Sequence, residues 1–192
     1  MGVSLIINSA DFSEQGFYNP NINWIIDNSL TNEASNFLGS PLTGNFNMFY
    51  FPQTAGKKIR YIQFRCWTKV TTAKFPKNIN IYDVDTTRKT ATKVSKTFSY
   101  TITGVGPASY MTIDLGKEYL FTSGLGIYGF DKGLNEGANL ICGMVSGVPA
   151  LETPQVGVCR GTNSLLNGDL ENVTYSSSGT INTWMVDIRF GV

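Results

Sequence analysis

The sequence predicts an all-β protein, an antiparallel β-sandwich of jelly-roll type with an irregular N-terminal segment. Three observations lead there. Apolar and polar residues alternate along most of the chain, the period of a half-buried strand. Turn signals interrupt these runs at intervals of roughly ten to fifteen residues. Charged residues make up only 15% of the chain, against 20 glycines and 12% aromatics. Asn, Ser and Thr carry much of the polar surface instead, which is a strand-and-turn composition. At 192 residues the chain is long enough to bury a proper core in one domain.

The elements follow in order. VSLII, at the start, reads as a strand of the mature fold. A secretory leader needs a positively charged start and a longer apolar stretch. Here no Lys or Arg precedes the run, which ends at Asn8. The expectation is a chain made without an export signal of its own. Residues 12–50 are rich in Asn and aromatics and lack sustained alternation. Residues 1–50 are therefore expected to form an N-terminal strand and an irregular arm or wrap, on the same subunit or a neighbour, and residues 51–192 the sandwich. Within the arm, TNEASNFLG is the best helix candidate, with Thr31 as cap and Gly39 at its C-terminal end.

In IRYIQFRCWTK, Ile62, Phe64 and Cys66 face one way and Tyr61, Gln63, Arg65 and Trp67 the other. In KNINIYDVD, Ile79 and Ile81 oppose Asn80, Tyr82 and Val84; in KTFSYTI, Phe98, Tyr100 and Ile102 share a face. YMTIDLG turns Met111, Ile113 and Leu115 inward, with Thr112 and Asp114 outward. GLGIYGFD and NLICGMVSG read as short, glycine-relieved strands. TWMVDIRFGV closes the chain as one strand, with Trp184, Val186, Ile188 and Phe190 inward and Met185, Asp187 and Arg189 outward. KFPKN, TGVGPAS, DKGLNEG, SGVPALETP and Asn167-Gly168 supply the turns.

Several kinds of chemistry are excluded or unsupported. The chain has no His, which removes Ser-His-Asp and Cys-His nucleophiles and every His-containing zinc site. Cys66, Cys142 and Cys159 read as buried thiols, a Cys142–Cys159 disulfide being the open alternative. Gly124, Gly126 and Gly129 lie inside a strand-like run with no helix after it, so they are packing or bulge glycines rather than a phosphate cradle. Asn167, Asp169 and Glu171, and likewise Asp83 and Asp85, lack the full loop of a calcium motif and read as solvated turns. No cofactor or metal is expected. No apolar run reaches the roughly 18 residues of a membrane-spanning helix.

Net charge is +1, unevenly spread. Lys57 to Lys96 holds eleven basic residues against Asp83 and Asp85, giving +9, and the remainder carries −8. This asymmetry suits head-to-tail packing of identical subunits, an acidic partner, or two faces that neutralise each other within the fold. Nucleic acid is disfavoured, because the acidic remainder would oppose a phosphate track.

The best site-like feature is the outward row Tyr61, Gln63, Arg65, Trp67 and Lys69, with Tyr82 on a neighbouring strand. Aromatic faces stack on sugars and the polar groups bond hydroxyls or acids; the same residue types anchor protein contacts. The row is thus a glycan platform, a subunit contact, or a face buried against the second sheet or the arm.

SLIINSADFS, with Ser4 to Ile7 running into Ala10-Asp11-Phe12-Ser13, resembles the N-terminal start of virion-surface and tail-fibre-like proteins of Bacteroides-type gut phages. Such proteins continue into lectin-like sandwich domains. The run IRYIQFRC, INIYDVD, YMTIDLG, LGIYGF is similar to carbohydrate-binding jelly rolls. The resemblance implies a non-enzymatic bacteriophage virion structural protein: a tail fibre, tail or capsid decoration subunit. It would assemble as a homo-oligomer, a trimer among the candidates, with other virion proteins. It would serve host adhesion by binding bacterial surface polysaccharide, without nucleic acid or membrane insertion. The alternative is a secreted or cell-surface bacterial carbohydrate-binding module with Tyr61, Arg65 and Trp67 as platform. A polysaccharide-degrading enzyme, needing two carboxylates on one cleft, is the third reading.

Overall fold

The computed structural model describes residues 4–7, 21–27, 36–37, 46–66, 78–99, 109–130, 143–146, 156–161, 171–175, 177–181, 184–186 and 188–192. Among them the fold is all-β, with a single 3-10 turn at Pro52–Thr54. The first sheet has the order β1 (Ser4–Ile7), β9 (Ser109–Leu120), β5 (Lys58–Cys66), β16 (Ile188–Gly191), β2 (Trp24–Asp27). It is antiparallel except for β1, which runs parallel to β9 with Ser4 opposite Tyr110 and Ile7 opposite Ile113. Among the described residues Ser4–Ile7 is therefore an edge strand of the fold.

The second sheet is antiparallel, in the order β13 (Asn172–Thr174), β7 (Thr90–Lys93), β6 (Asn78–Asp85), β10 (Leu125–Phe130), β4 (Phe46–Phe51), β12 (Val156–Gly161), β14 (Ser177–Ile181). The short β8 (Phe98–Ser99) pairs with β6 beside this path. A third, small sheet joins β15 (Trp184–Val186), β11 (Gly143–Ser146) and β3 (Asn36–Phe37).

The two large sheets share one core. Ile59, Ile62, Ile113, Leu115, Ile188 and Phe190 of the first meet Phe49, Phe51, Ile79, Ile81, Leu125 and Ile127 of the second. Phe51 and Phe190 meet edge to face at 5.3 Å between ring centroids. This is a sandwich built from the inward half of each period-2 pattern. The alternation read in β5, β6, β9 and β16 places Ile62, Ile79, Ile81, Ile113, Leu115, Ile188 and Phe190 inward, as expected.

Elsewhere the structure differs from the sequence reading. The outer face of the second sheet is buried too, in a cluster of Met48, Tyr50, Tyr82, Val84, Ala91, Tyr128, Val173 and Tyr175. With both faces covered, FNMFYF has no polar alternation to show, although it is strand β4 between β10 and β12. The expected boundary at residue 50 falls inside that strand, and β2 pairs with the C-terminal β16, so the Asn-rich segment contributes to both sheets of its own chain. Asn36–Phe37, inside the expected helix, is strand β3 paired with β11; tertiary pairing overrides the local cap signal. TWMVDIRFGV is two strands in different sheets, β15 and β16. Period-2 patterning alone cannot separate one long strand from two short ones.

Two glycines of GLGIYGF are packing glycines, as their setting predicted. At Gly124 (φ +147°) a Cβ would lie 2.5 Å from Tyr50 Cε2 and 2.7 Å from the Phe51 carbonyl oxygen; at Gly126 it would lie 2.5 Å from Met48 Sδ. Tyr100, Ile102, Cys142 and the Asn167-Gly168 turn lie outside the described residues.

Candidate functional site

On β5 the expected faces hold: Ile62 enters the core while Tyr61 and Gln63 stand on the opposite side. Register across the sheet sets Thr112, Gln63, Arg189 and Asp27 in one row, and Asp114, Tyr61 and Gly191 in the next. Gln63 is no ligand-facing group. It is 2% exposed, its Nε2 donates to Thr112 Oγ1 at 3.0 Å, and its Oε1 accepts from Arg189 Nη1 at 3.4 Å. A buried amide must be satisfied internally, and this row satisfies it. Tyr61 is half-buried, with the Arg60 guanidinium 4.9 Å from its ring centroid. Arg65 stands opposite Tyr110 in the register. Trp67 and Lys69 lie outside the described residues.

Tyr82 does not join this row. It belongs to the second sheet, is fully buried in the aromatic cluster, and accepts a hydrogen bond from Asn80 Nδ2 at 3.0 Å. Tyr82 does not stand near Tyr61, as expected of a neighbouring strand, because β5 and β6 belong to different sheets whose outward faces point away from the shared core.

Beside Tyr61 the β5–β9 ladder is interrupted. Between the pairs Ile59–Tyr119 and Tyr61–Asp114, Arg60 alone faces the stretch from Leu115 to Glu118. Arg60 closes this bulge by a two-pronged contact, Nε to Asp114 Oδ1 at 2.8 Å and Nη2 to Oδ2 at 3.0 Å. The Gly116 N–H donates to Oδ1 at 2.8 Å, with Gly116 at φ +82°. Burial by itself pushes the Asp114 carboxyl up, but hydrogen bonds from Arg60 and Gly116 and the Arg60 charge outweigh it and hold the group below its ordinary value. Arg60 is raised by the same hydrogen bond and charge. Asp114 is thus a fixed carboxylate that shapes the bulge.

The bulge carries Tyr119 to the rim of an open groove. The groove holds about 500 Å³ and is lined by Lys93 at the end of β7, by Val94, Ser95, Lys96 and Thr97 after it, by Tyr119, and by Glu171 just before β13. Its size falls within the range of roughly 300–1,000 Å³ common for ligand sites. Val94 and Tyr119 pack on the margin of the sandwich core, so the groove lies where the sandwich opens at its edge. Its floor is tied down: Lys93 N donates to the Glu171 carbonyl at 2.8 Å, Val94 N to the Ile81 carbonyl at 2.9 Å, and Thr97 Oγ1 to Asn80 Oδ1 at 2.7 Å.

Charge is concentrated there. The Lys93 side chain is only 5% exposed and its Nζ lies 3.5 Å from Oε1 of Glu171, a side chain 76% exposed. Lys96 is exposed, and Lys117 Nζ stands 5.0 Å from the Tyr119 ring centroid. Among the described residues, Lys93, Lys96 and Glu171 are the charged groups that line the groove, with Lys117 beside the ring of Tyr119. The arrangement offers an aromatic face bordered by cations. Sequence reading counted Lys93 and Lys96 within the basic segment without singling them out. Only the β9 bulge and the β7–β13 pairing bring Tyr119 and Glu171 beside them; the local signal was Lys93-Val94-Ser95-Lys96 just past a strand.

The charge asymmetry is in part resolved inside the fold. Arg60–Asp114 at 2.8 Å, Lys93–Glu171 at 3.5 Å and Lys58–Glu118 at 3.9 Å each join the basic segment to an acid outside it. Asp83 accepts from Thr122 N and Oγ1 at 2.7 and 2.8 Å, and Asp85 from the N–H groups of Thr87 and Arg88 at 2.9 Å. These carboxylates cap turns. Among the described residues no three His, Cys, Asp or Glu side chains gather as a metal site. No protein-family model, curated protein or solved structure matches this chain.

Proposed function

We propose that this chain is a non-enzymatic virion-surface subunit of a bacteriophage, a fibre, tail or capsid-decoration protein of jelly-roll type, that adheres to bacterial surface glycans through the groove beside Tyr119. The observation that carries the adhesive part is the placement of an aromatic ring and lysines on an anchored groove at the sandwich edge. A tyrosine face packs on the apolar face of a sugar ring while lysines bond its oxygens. Such contacts are individually weak, and a homo-oligomer on a particle multiplies them. Among the described residues Glu171 is the one carboxylate that lines the groove, where glycoside hydrolysis needs two, which favours binding over hydrolysis. The virion assignment rests on the likeness of SLIINSADFS to phage surface proteins.

The test joins light scattering after size exclusion to affinity electrophoresis in gels containing bacterial surface polysaccharides. The expected result is a closed oligomer retarded by at least one polysaccharide, with Tyr119→Ala relieving the retardation by about tenfold. A monomer that is still retarded favours the bacterial carbohydrate-binding module. Release of reducing ends favours the enzyme. Free migration in every gel overturns glycan adhesion.

A further inference from the structure

We infer that the ligand of the groove is an acidic polysaccharide bearing carboxylates, and that Glu171 holds the place of a ligand carboxylate in the free protein. This rests on the glycan reading above. The Lys93 stem is enclosed while its charge meets an exposed partner, Glu171, at 3.5 Å. A mostly enclosed ammonium needs a counter-charge, but an exposed glutamate is held weakly because solvent competes for it. A uronate carboxylate entering the groove can replace Glu171 on Lys93 and leave the lysine matched in both states. Lys96, which also lines the groove, adds positive charge to that exchange, and Tyr119, with Lys117 beside its ring, supplies the face against which the sugar lies. A neutral sugar has nothing to exchange for Glu171.

An extended polyanion such as nucleic acid fits less well. A phosphate track needs a line of available cations, and away from the groove Arg60 and Lys58 are matched by Asp114 and Glu118.

The experiment titrates the full chain with polygalacturonate, alginate and hyaluronate, with the carboxyl-reduced form of each, and with single-stranded DNA. At least one polyuronate should bind, its reduced form should bind about tenfold more weakly, and added salt should weaken the acidic form more than the neutral one. Glu171→Gln should tighten polyuronate binding about threefold by removing the rival carboxylate, and Lys96→Met should weaken it about threefold. Both substitutions are at exposed positions, so circular dichroism should be unchanged. Equal binding of acidic and reduced forms, or binding of neutral surface polysaccharide alone, overturns this inference and leaves glycan adhesion standing. Binding of DNA as tightly as any polyuronate overturns it in favour of a general polyanion site. Weaker polyuronate binding by Glu171→Gln removes Glu171 from the role. No binding to any polysaccharide defeats both readings.

Discussion

Tyr61 and Tyr82 occupy equivalent outward positions on β5 and β6, yet their surroundings are opposite. Tyr61 is half-buried beside the Arg60 guanidinium, in a face that includes Gln63, Thr112, Asp114 and Arg189. Tyr82 is fully enclosed by an apolar cluster that includes Met48, Tyr50, Val84 and Tyr128. The first face carries the polar contacts Gln63–Thr112, Arg189–Gln63 and Arg60–Asp114. The second has become another core. Alternation reports which residues share a face, and it is silent on what covers that face.

The largest effect should come from exchanging the two tyrosines for alanine in turn. Tyr82→Ala removes an enclosed ring and the acceptor of the Asn80 amide, and should cost about 3–5 kcal/mol of stability, as for other large-to-small changes in cores. Tyr61→Ala should cost less, about 1 kcal/mol, because its ring is only partly enclosed. Urea unfolding of the two variants measures both. Equal losses would mean that the two outer faces are equivalent after all.

The same contrast explains what could be read from the amino acids. Where a strand has one polar face, as in YMTIDLG and RYIQF, the inward residues Ile113, Leu115 and Ile62 were assigned correctly. Where both faces are apolar, as in FNMFYF, no alternation marks the strand, and where an outward face is covered, as at Gln63 and Tyr82, burial is only one of three readings that the sequence leaves open. The β3 strand and the division of TWMVDIRFGV depend on pairing with the distant β11, which no local window contains. The groove was hidden for a related reason. Lys93, Tyr119 and Glu171 are far apart in sequence and meet only through the β9 bulge and the β7–β13 ladder.

A smaller effect should follow from Asp114→Asn in the polar face. The shape is kept, but an amide offers one oxygen where Arg60 and Gly116 use a carboxylate. Charge-assisted hydrogen bonds are the stronger kind, so the loss should be about 1–2 kcal/mol. A cost near zero in urea would show that the bulge is held by its backbone alone, and that the polar face does not support itself in the way its hydrogen bonds suggest.

The smallest effect at ordinary pH, and the one that separates the faces most cleanly, is their titration. Asp114 in the polar face is held below its ordinary value of 3.8, so the folded state binds its proton less readily than the unfolded state. Its contribution is complete above that pH and is lost as pH falls through the lowered value. Tyr128 in the aromatic face is pushed by burial from 10.0 to about 12, so the folded state keeps its proton longer. Its contribution is complete below pH 10.0 and disappears as pH rises towards about 12. Urea midpoints measured across both ranges should therefore show a polar face that weakens in acid and an aromatic face that weakens in alkali. Asp114→Asn should flatten the acid limb and leave the alkaline one, and Tyr128→Phe should do the reverse. If either substitution moved both limbs, the two faces would be coupled through the shared core, and their contrast would be one of composition without independence.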